Sequence, residues 1–406
     1  MKIIFCSTMF TEIDENIKNS KSPNSVSGHK YQFNIIKGLI ENNCDVTVIN
    51  IQRVRRYPSY KKIILKKQDF KMCEKNTGVT VGCLNVFALN YITASINVYR
   101  VLKSIVEKHR NEKIILMTFN TYLPQTIAML KIRSRFSNVL LCDLIGDIRN
   151  PKFGILNHTK GIKGKLIRFY ESKEDEFAKK FDCFVLLTSA MATALNIKNK
   201  PYIELECPFE SMADEEMYNI ARKDEGYMIF YAGELSKEYG VDHLVRAFKL
   251  IIDRNYKLIL AGNGTLTNYI KKEEKEDSRI RYLGFITPYE VIQYQKKASV
   301  VISPRTTRYE YVKYSFPSKT MECLASGIPY IAHKMPSIPD EYDEYIFYPK
   351  DESDISLKEK IVEVCNLPQE YLYEHGKRAR DFILLKKNSK VLTKKIVNLL
   401  LNMEMK

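Results

Sequence analysis

Short β-branched runs alternate with amphipathic helical patterns along the whole of this 406-residue chain, and few folds accommodate such an alternation. In the first half the runs are Lys2–Cys6, Cys44–Ile51, Val79–Val86, Lys113–Phe119, Val139–Ile145 and Cys183–Thr188. In the second half they are Tyr227–Ala232, Tyr256–Ala261, Arg279–Phe285, Ser299–Ser303, Pro329–Ala332 and Tyr345–Tyr348. Between them, His29–Glu41 and Asp242–Asp253 repeat apolar residues at helical spacing. Each strand–helix–strand unit folds back into a parallel pair with the helix across one face. Two successive series therefore predict an α/β chain with two doubly wound parallel sheets. Ligands of such sheets bind beyond the carboxyl ends of the strands, here expected in a cleft that the two domains face.

The boundary is expected in Pro208–Gly226, a polar, acidic stretch without a core pattern. This gives an N-terminal Rossmann-like domain over 1–207, a linker over 208–226, a C-terminal Rossmann-like domain over 227–387 and a terminal segment over 388–406. In the last, Asn388–Glu404 places Val391, Leu392, Ile396, Leu399 and Leu400 at the spacing of an amphipathic helix.

Composition excludes some classes. Charged residues at 28% and hydrophobic residues at 45% describe a globular chain, not a disordered one. No apolar run approaches the roughly 18–20 residues that span a bilayer. Met1–Cys6 is too short an apolar stretch for a signal peptide and reads as a first strand. Nine cysteines are scattered without CxxC pairs, and Cys6, Cys142 and Cys183 sit in apolar runs, so reduced structural cysteines in a cytoplasmic protein are expected. The net charge of +16 is uneven, with nine Lys or Arg between Arg53 and Lys75 against Asp69 and Glu74. Such a segment suits an anionic membrane surface, an anionic substrate or plain solvation. No nucleic-acid module signature accompanies it, so no nucleic-acid partner is expected.

The run Tyr314-Ser315-Phe316-Pro317-Ser318-Lys319-Thr320-Met321-Glu322-Cys323-Leu324-Ala325-Ser326-Gly327-Ile328-Pro329 carries the chemistry. A turn with Pro, Ser and Lys opens a short helix, which closes on small residues before an apolar strand. Free backbone N–H groups at a helix start, with Lys319 beside them, suit a diphosphate. Glu322, one turn further in, suits a diol such as a ribose. A nucleotide-sugar satisfies all three.

This segment resembles the donor-binding signature of retaining glycosyltransferases of the GT-B fold, in particular the capsule and exopolysaccharide branches of glycosyltransferase family 4. Four companions occur in the family's order: Tyr231–Gly240, Leu260–Gly264, Tyr282–Phe285 and Ser303–Arg305. The resemblance is specific over about 227–333 and loose before it. It implies a transferase of the hexosyltransferase type that works without metal or other cofactor. The implied reaction moves a sugar from a nucleotide-sugar donor, UDP by the family's habit, to a glycan or lipid-linked glycan with retention at the anomeric carbon. Phe316, Pro317, Ser318, Lys319, Thr320 and Glu322 are then donor-binding residues, joined by Gly233 at a strand end, Lys237 in the following loop and Arg305 past Ser299–Ser303. In proteins of this fold the C-terminal helix usually returns to the first domain. Two departures stand out: the first member of the family's usual acidic pair falls on Tyr314, and its usual Arg and Lys fall on Glu234 and Tyr239. Lys237, Arg305 and Lys319 are the cations available to replace them.

In the first domain, Ser27 and Gly28 open a helix where a glycine loop would face the acceptor and the donor phosphates, or simply form an N-terminal turn. Asp143 and Asp147, at a strand's carboxyl end, are candidate catalytic or acceptor-orienting carboxylates; Asp147 is equally a cap for the next segment. Gly262 and Gly264 serve either the site or a turn. Residues 160–180 mix apolar and basic residues as a core-packed or an interfacial helix does. Asp340, Glu341, Asp343 and Glu344 read as an exposed acidic loop, and no carboxylate cluster calls for a metal. Two other functions share the fold: a nucleotide-sugar 2-epimerase, and a non-catalytic partner subunit of a glycosyltransferase. The sequence leaves oligomerisation open.

Overall fold

The computed structural model describes residues 1–10, 27–73, 76–86, 89–148, 172–173, 176–210 and 226–404. The chain forms two compact units, Met1–Pro208 with Asn388–Lys406, and Phe209–Lys387.

Unit 1 runs β1 (Lys2–Ser7), α1 (Ser27–Glu41), β2 (Asp45–Asn50), β3 (Ile64–Leu65), β4 (Gln68–Cys73), β5 (Asn76–Thr80) and β6 (Cys83–Leu84). It continues through α2 (Leu89–Lys108), β7 (Ile114–Phe119), α3 (Leu123–Arg133), β8 (Val139–Ile145), β9 (Cys183–Leu186), α4 (Ser189–Ala194) and β10 (Tyr202–Glu204). Its eight-stranded sheet has the order β10-β9-β8-β7-β1-β2-β5-β4. Every pairing is parallel except β4 with β5. All six residues of β1, of β7 and all seven of β8 are buried on both faces, which is why these strands read as unbroken apolar runs.

Unit 2 runs β11 (Tyr227–Ala232), α5 (Val241–Lys249), β12 (Tyr256–Ala261), α6 (Thr267–Glu276), β13 (Ile280–Tyr282), α7 (Pro288–Lys297) and β14 (Val300–Ser303). It ends with α8 (Lys319–Ala325), β15 (Tyr330–Ala332), α9 (Asp354–Asn366) and α10 (Gln369–Lys386). Its five-stranded sheet, β13-β12-β11-β14-β15, is parallel throughout. Leu258 and Leu260 of β12, with Ile229 and Tyr231 of β11, pack against Leu244 and Phe248 of α5 and Ile361 of α9. The last helix, α11 (Ser389–Leu401), belongs to unit 1 and packs on α1. Gly38 makes room for it, since a Cβ there would lie 2.2 Å from the Ser389 carbonyl oxygen. Asn42 Nδ2 donates across the same contact to the Lys390 carbonyl at 2.7 Å.

Two expectations are corrected. The single run Val79–Val86 is two strands, because the chain turns at Gly82, where a Cβ would meet Leu65 O and Lys67 N at 3.0 Å. Tyr345–Tyr348 is not a strand: the 3₁₀ turn Asp340–Tyr345 takes its start, and one bridge joins Phe347 to Ile331. The basic segment that begins at Arg53 is built into the fold as far as Cys73, since Ile64–Leu65 pairs with β6 and Gln68–Cys73 extends the main sheet. Of the basic helix expected over 160–180, residues 160–171 and 174–175 lie outside the described residues.

Candidate functional site

Because the strands of unit 2 are parallel, their carboxyl ends meet at one edge, and the loops leaving β11, β12 and β14 gather there. The first two loops are stitched together. Gly233 N–H donates to Ala261 O at 2.9 Å, Leu235 N–H to Asn263 O at 3.0 Å, and Leu266 N–H to Leu235 O at 2.8 Å. This close approach decides the role of the two glycines after β12. Gly262 has φ +128°, and a Cβ there would sit 1.8 Å from Gly233 O; a Cβ at Gly264 would sit 2.2 Å from Leu235 O. Both are structural, and they hold Gly233 in place.

Lys319 opens α8, and its ammonium donates to the carbonyl of Ala232, the last residue of β11. An ammonium has three donors, so this bond anchors the side chain without exhausting it. Gly233 leaves the space it needs: a Cβ there would lie 3.1 Å from Lys319 Cε and 2.8 Å from Tyr231 Oη. Ser318 is exposed and makes no capping bond, and Pro317 O accepts from Thr320 N–H at 2.8 Å. Glu322 is exposed one turn along, on the side of the helix that Lys319 occupies. Two proposed donor contacts are corrected. Phe316 is buried against Tyr342, ring centroids 5.9 Å apart, and Thr320 is sealed with its hydroxyl 3.1 Å from Tyr330 Oη. The side chains at these two positions anchor the loop to the core.

Arg305, two residues past β14, is only 5% exposed, and its Nε has no hydrogen-bond partner. Its guanidinium lies 5.3 Å from the Tyr239 ring centroid and 5.0 Å from that of Tyr311. Gly240, at φ +71°, allows the approach, because a Cβ would meet Pro304 O at 2.1 Å. Tyr231 lies beside the same space: burial pushes its phenol up, Tyr239 and Glu234 add to the shift, and the charge of Arg305 opposes it. Its hydroxyl donates to Glu234 O at 2.8 Å. Lys237, by contrast, is exposed on the outer part of the loop.

In unit 1 the two carboxylates separate. Asp143, in β8, is fully buried; Thr121 N–H donates to its Oδ1 at 3.2 Å, and Thr121 Oγ1 is 2.5 Å from its Oδ2. Burial raises its pKa to about 7, against the lowering effect of the Thr121 bonds. Sealed in this way it meets no solute, so its geometry is that of a positioning group and not of a catalytic one. What it positions is strained: Asn120 and Thr121 follow β7 with φ +56° and +46°, the second a β-branched residue in the left-handed region. Asn120 Oδ1 accepts from Gly146 N–H at 2.7 Å and from Asp147 N–H at 3.2 Å, while the Asp147 side chain is exposed. Gly28 lies near Phe119, 3.5 Å from where its Cβ would be, and its carbonyl accepts from Gln32 Nε2 at 2.9 Å. The side chain of Ser27 lies outside the described residues.

Sequence reasoning missed the pairing of Tyr239 and Tyr311 with Arg305 and the Asn120–Thr121 turn. The only advance signal for the turn was an Asn just beyond a strand, a residue that tolerates positive φ. Among the described residues no group of three or more His, Cys, Asp or Glu is arranged to hold a metal ion, and no helix is long and apolar enough to cross a membrane.

Residues 213–382 match the family described as Glycosyl transferases group 1. An uncharacterized glycosyltransferase of Methanocaldococcus jannaschii is 29% identical over 154 residues, 35% of this chain and 38% of that protein, so the match spans well under half of that relative. Sucrose-phosphate synthase of Thermosynechococcus elongatus superposes with a TM-score of 0.61 at 14% identity, covering 98% of both chains. HepE of Anabaena, solved in complex with UDP, superposes with a TM-score of 0.61 at 13% identity, over 99% of this chain and 100% of that one. Residues 213–382 are therefore similar to a group 1 glycosyltransferase domain, and the chain as a whole has the GT-B fold of these solved structures.

Proposed function

We propose that this chain transfers a sugar from a nucleoside-diphosphate donor, held in unit 2, to a glycan acceptor. The observation that carries the reading is that Lys319, bonded to the end of β11 beside Gly233, and Arg305, just past the neighbouring β14, lie at the same edge of the sheet, with Glu322 one turn from Lys319. Sugar transfer breaks the bond between the anomeric carbon and the diphosphate oxygen, so negative charge grows on the leaving phosphate. Cationic donors already fixed around it lower that barrier without reorganising during the step. Glu322 pairs with the ribose hydroxyls, as a carboxylate can accept from both. UDP is the favoured nucleotide, in keeping with the UDP bound by HepE. Retention of configuration, a place in the capsule and exopolysaccharide branch of family 4 and a role in surface polysaccharide synthesis follow from the motif resemblance.

A lipid-linked acceptor at a membrane surface is supported by unit 1. Lys61, Lys62, Lys66 and Lys67 are exposed around Ile63 and Ile64, which are exposed at 45% and 63%. Leu89, Ile92 and Ile96 form an exposed apolar stripe on α2. Lysines attract anionic headgroups, while exposed isoleucines gain by entering the interface.

The test is product analysis with UDP-sugars, with and without a lipid-linked glycan extract. Acceptor-dependent release of UDP with a lengthened glycan is the expected result. UDP and free sugar released without acceptor would mean a 2-epimerase, and donor binding without turnover would mean a partner subunit.

A further inference from the structure

A buried guanidinium is costly unless its charge and its donors are met. Arg305 is 5% exposed, yet its Nε–H has no acceptor. What it has instead is aromatic: the ring centroids of Tyr239 and Tyr311 lie at 5.3 and 5.0 Å. The negative faces of such rings attract a cation, but they take few of the five N–H donors that the guanidinium carries. Its charge also reaches the Tyr311 phenol and opposes the rise in pKa that burial causes there. The other donors suit a ligand with several oxygen acceptors in fork geometry, as a phosphate has.

The ligand's charge follows from the second cation. The Tyr231 phenol stands 2.8 Å from the Cβ position of Gly233, beside Lys319 Cε, and it feels the charge of Arg305. Lys319, bonded to the end of β11, and Arg305, two residues past the adjacent β14, thus lie at one edge of the sheet, and two cations fit the charge of a diphosphate better than that of a single carboxylate. The loop is fixed as well. Arg305 N lies 3.3 Å from the Cβ position of Gly240, and Thr307 N–H donates to Glu352 Oε1 at 2.6 Å.

We propose that Tyr239 and Tyr311 are positioning residues that hold Arg305 as the cation receiving the donor's diphosphate. This rests on the nucleoside-diphosphate reading of the site. The rings hold the guanidinium in place before the ligand arrives, so binding loses little side-chain entropy. Replacing a ring by an aliphatic side chain leaves the arginine present but unheld, whereas replacing the arginine leaves the rings without a task.

The test is calorimetric binding of UDP and of uridine to the full chain, with circular dichroism as a check on folding. Arg305→Ala should weaken UDP by roughly ten- to a hundredfold and leave uridine nearly unchanged, because only the diphosphate loses a charged partner. Tyr239→Leu and Tyr311→Leu should each weaken UDP by about three- to tenfold, and Tyr239→Phe, which keeps the ring face, by less than about threefold. If the leucine variants fail to fold, Arg305→Ala with Tyr239→Lys gives an independent reading. An ammonium at 239 reaches the same space and should restore part of the UDP affinity. Wild type that binds UDP while Arg305→Ala binds it equally well overturns the clamp and leaves the donor site standing. Wild type that binds neither UDP, GDP nor ADP overturns both.

Discussion

Asp143→Asn is expected to flatten the pH dependence of stability in unit 1. The carboxyl group is fully buried, and burial raises its pKa from 3.8 to about 7. Between these values the folded chain keeps a proton that the unfolded chain gives up. Stability from this group is therefore complete below the unfolded pKa and falls as pH rises through the folded one, by about 1.4 kcal/mol per pH unit. Asparagine imitates the protonated acid, with Oδ1 accepting from Thr121 N–H and Nδ2 donating to Thr121 Oγ1, and it does not titrate. From pH 5 to pH 7 the stability difference between variant and wild type should thus shift by about 2 kcal/mol in favour of the variant, the slope flattening as pH nears the folded pKa. For a unit of this size that is about 4–8 °C in the unfolding midpoint. Thermal unfolding of both proteins at pH 5, 6 and 7, followed by circular dichroism, measures it. Parallel curves would refute the reasoning, because they would mean that Asp143 ionises in the fold as it does in water. The same variant should keep its turnover; loss of turnover with an intact fold would return Asp143 to the catalytic role its sequence position allowed.

Lys319→Ala should weaken UDP by roughly ten- to a hundredfold and uridine far less, the expected cost of a lost charge-assisted bond to phosphate; equal losses would mark a structural lysine. Gly262→Ala should destabilise unit 2 by several kcal/mol in chemical denaturation, since φ is +128° and the new Cβ would sit 1.8 Å from Gly233 O. An unchanged denaturation midpoint would mean that the loops after β11 and β12 are not stitched as described. Replacing Lys61, Lys62, Lys66 and Lys67 by Gln should reduce sedimentation with anionic liposomes while leaving nucleotide affinity intact. Unaltered sedimentation would show that this surface is not the anchor.

Strands covered by helices on both faces were legible because burial leaves a run of apolar residues, as in Ile114–Phe119 and Val139–Ile145. The parallel architecture followed from their alternation with helices. Short edge elements were not legible. Ile64–Leu65 and Cys83–Leu84 are two residues each, and only pairing across the chain defines them. Tyr345–Tyr348 looked like a strand from its apolar content, but the acidic residues before it close a 3₁₀ turn.

At Lys319 and Glu322 the sequence drew attention to charge in an otherwise apolar segment, and the fold anchors Lys319 on Ala232 and leaves Glu322 exposed. That Phe316 and Thr320 turn inward was not legible, since adjacent residues on a short helix point in different directions and a motif does not say which face is inward. Tyr239 was read as the loss of a cation. The fold instead places its ring beside Arg305, 66 residues later in sequence, a contact that local spacing cannot show. Asp143 is the converse case: an acidic residue at a strand's end invites a catalytic reading, yet its oxygens are spent on the Thr121 turn.

The central claim is that unit 2 holds a nucleoside diphosphate through Lys319, Arg305 and Glu322. Its most direct test is calorimetric titration of the wild-type protein with UDP, GDP and ADP, repeated with Glu322→Ala. The account predicts micromolar binding of one nucleotide, weakened by about 1–3 kcal/mol in the variant through loss of the ribose contact. No binding of any of the three, or the same affinity in both proteins, would contradict it.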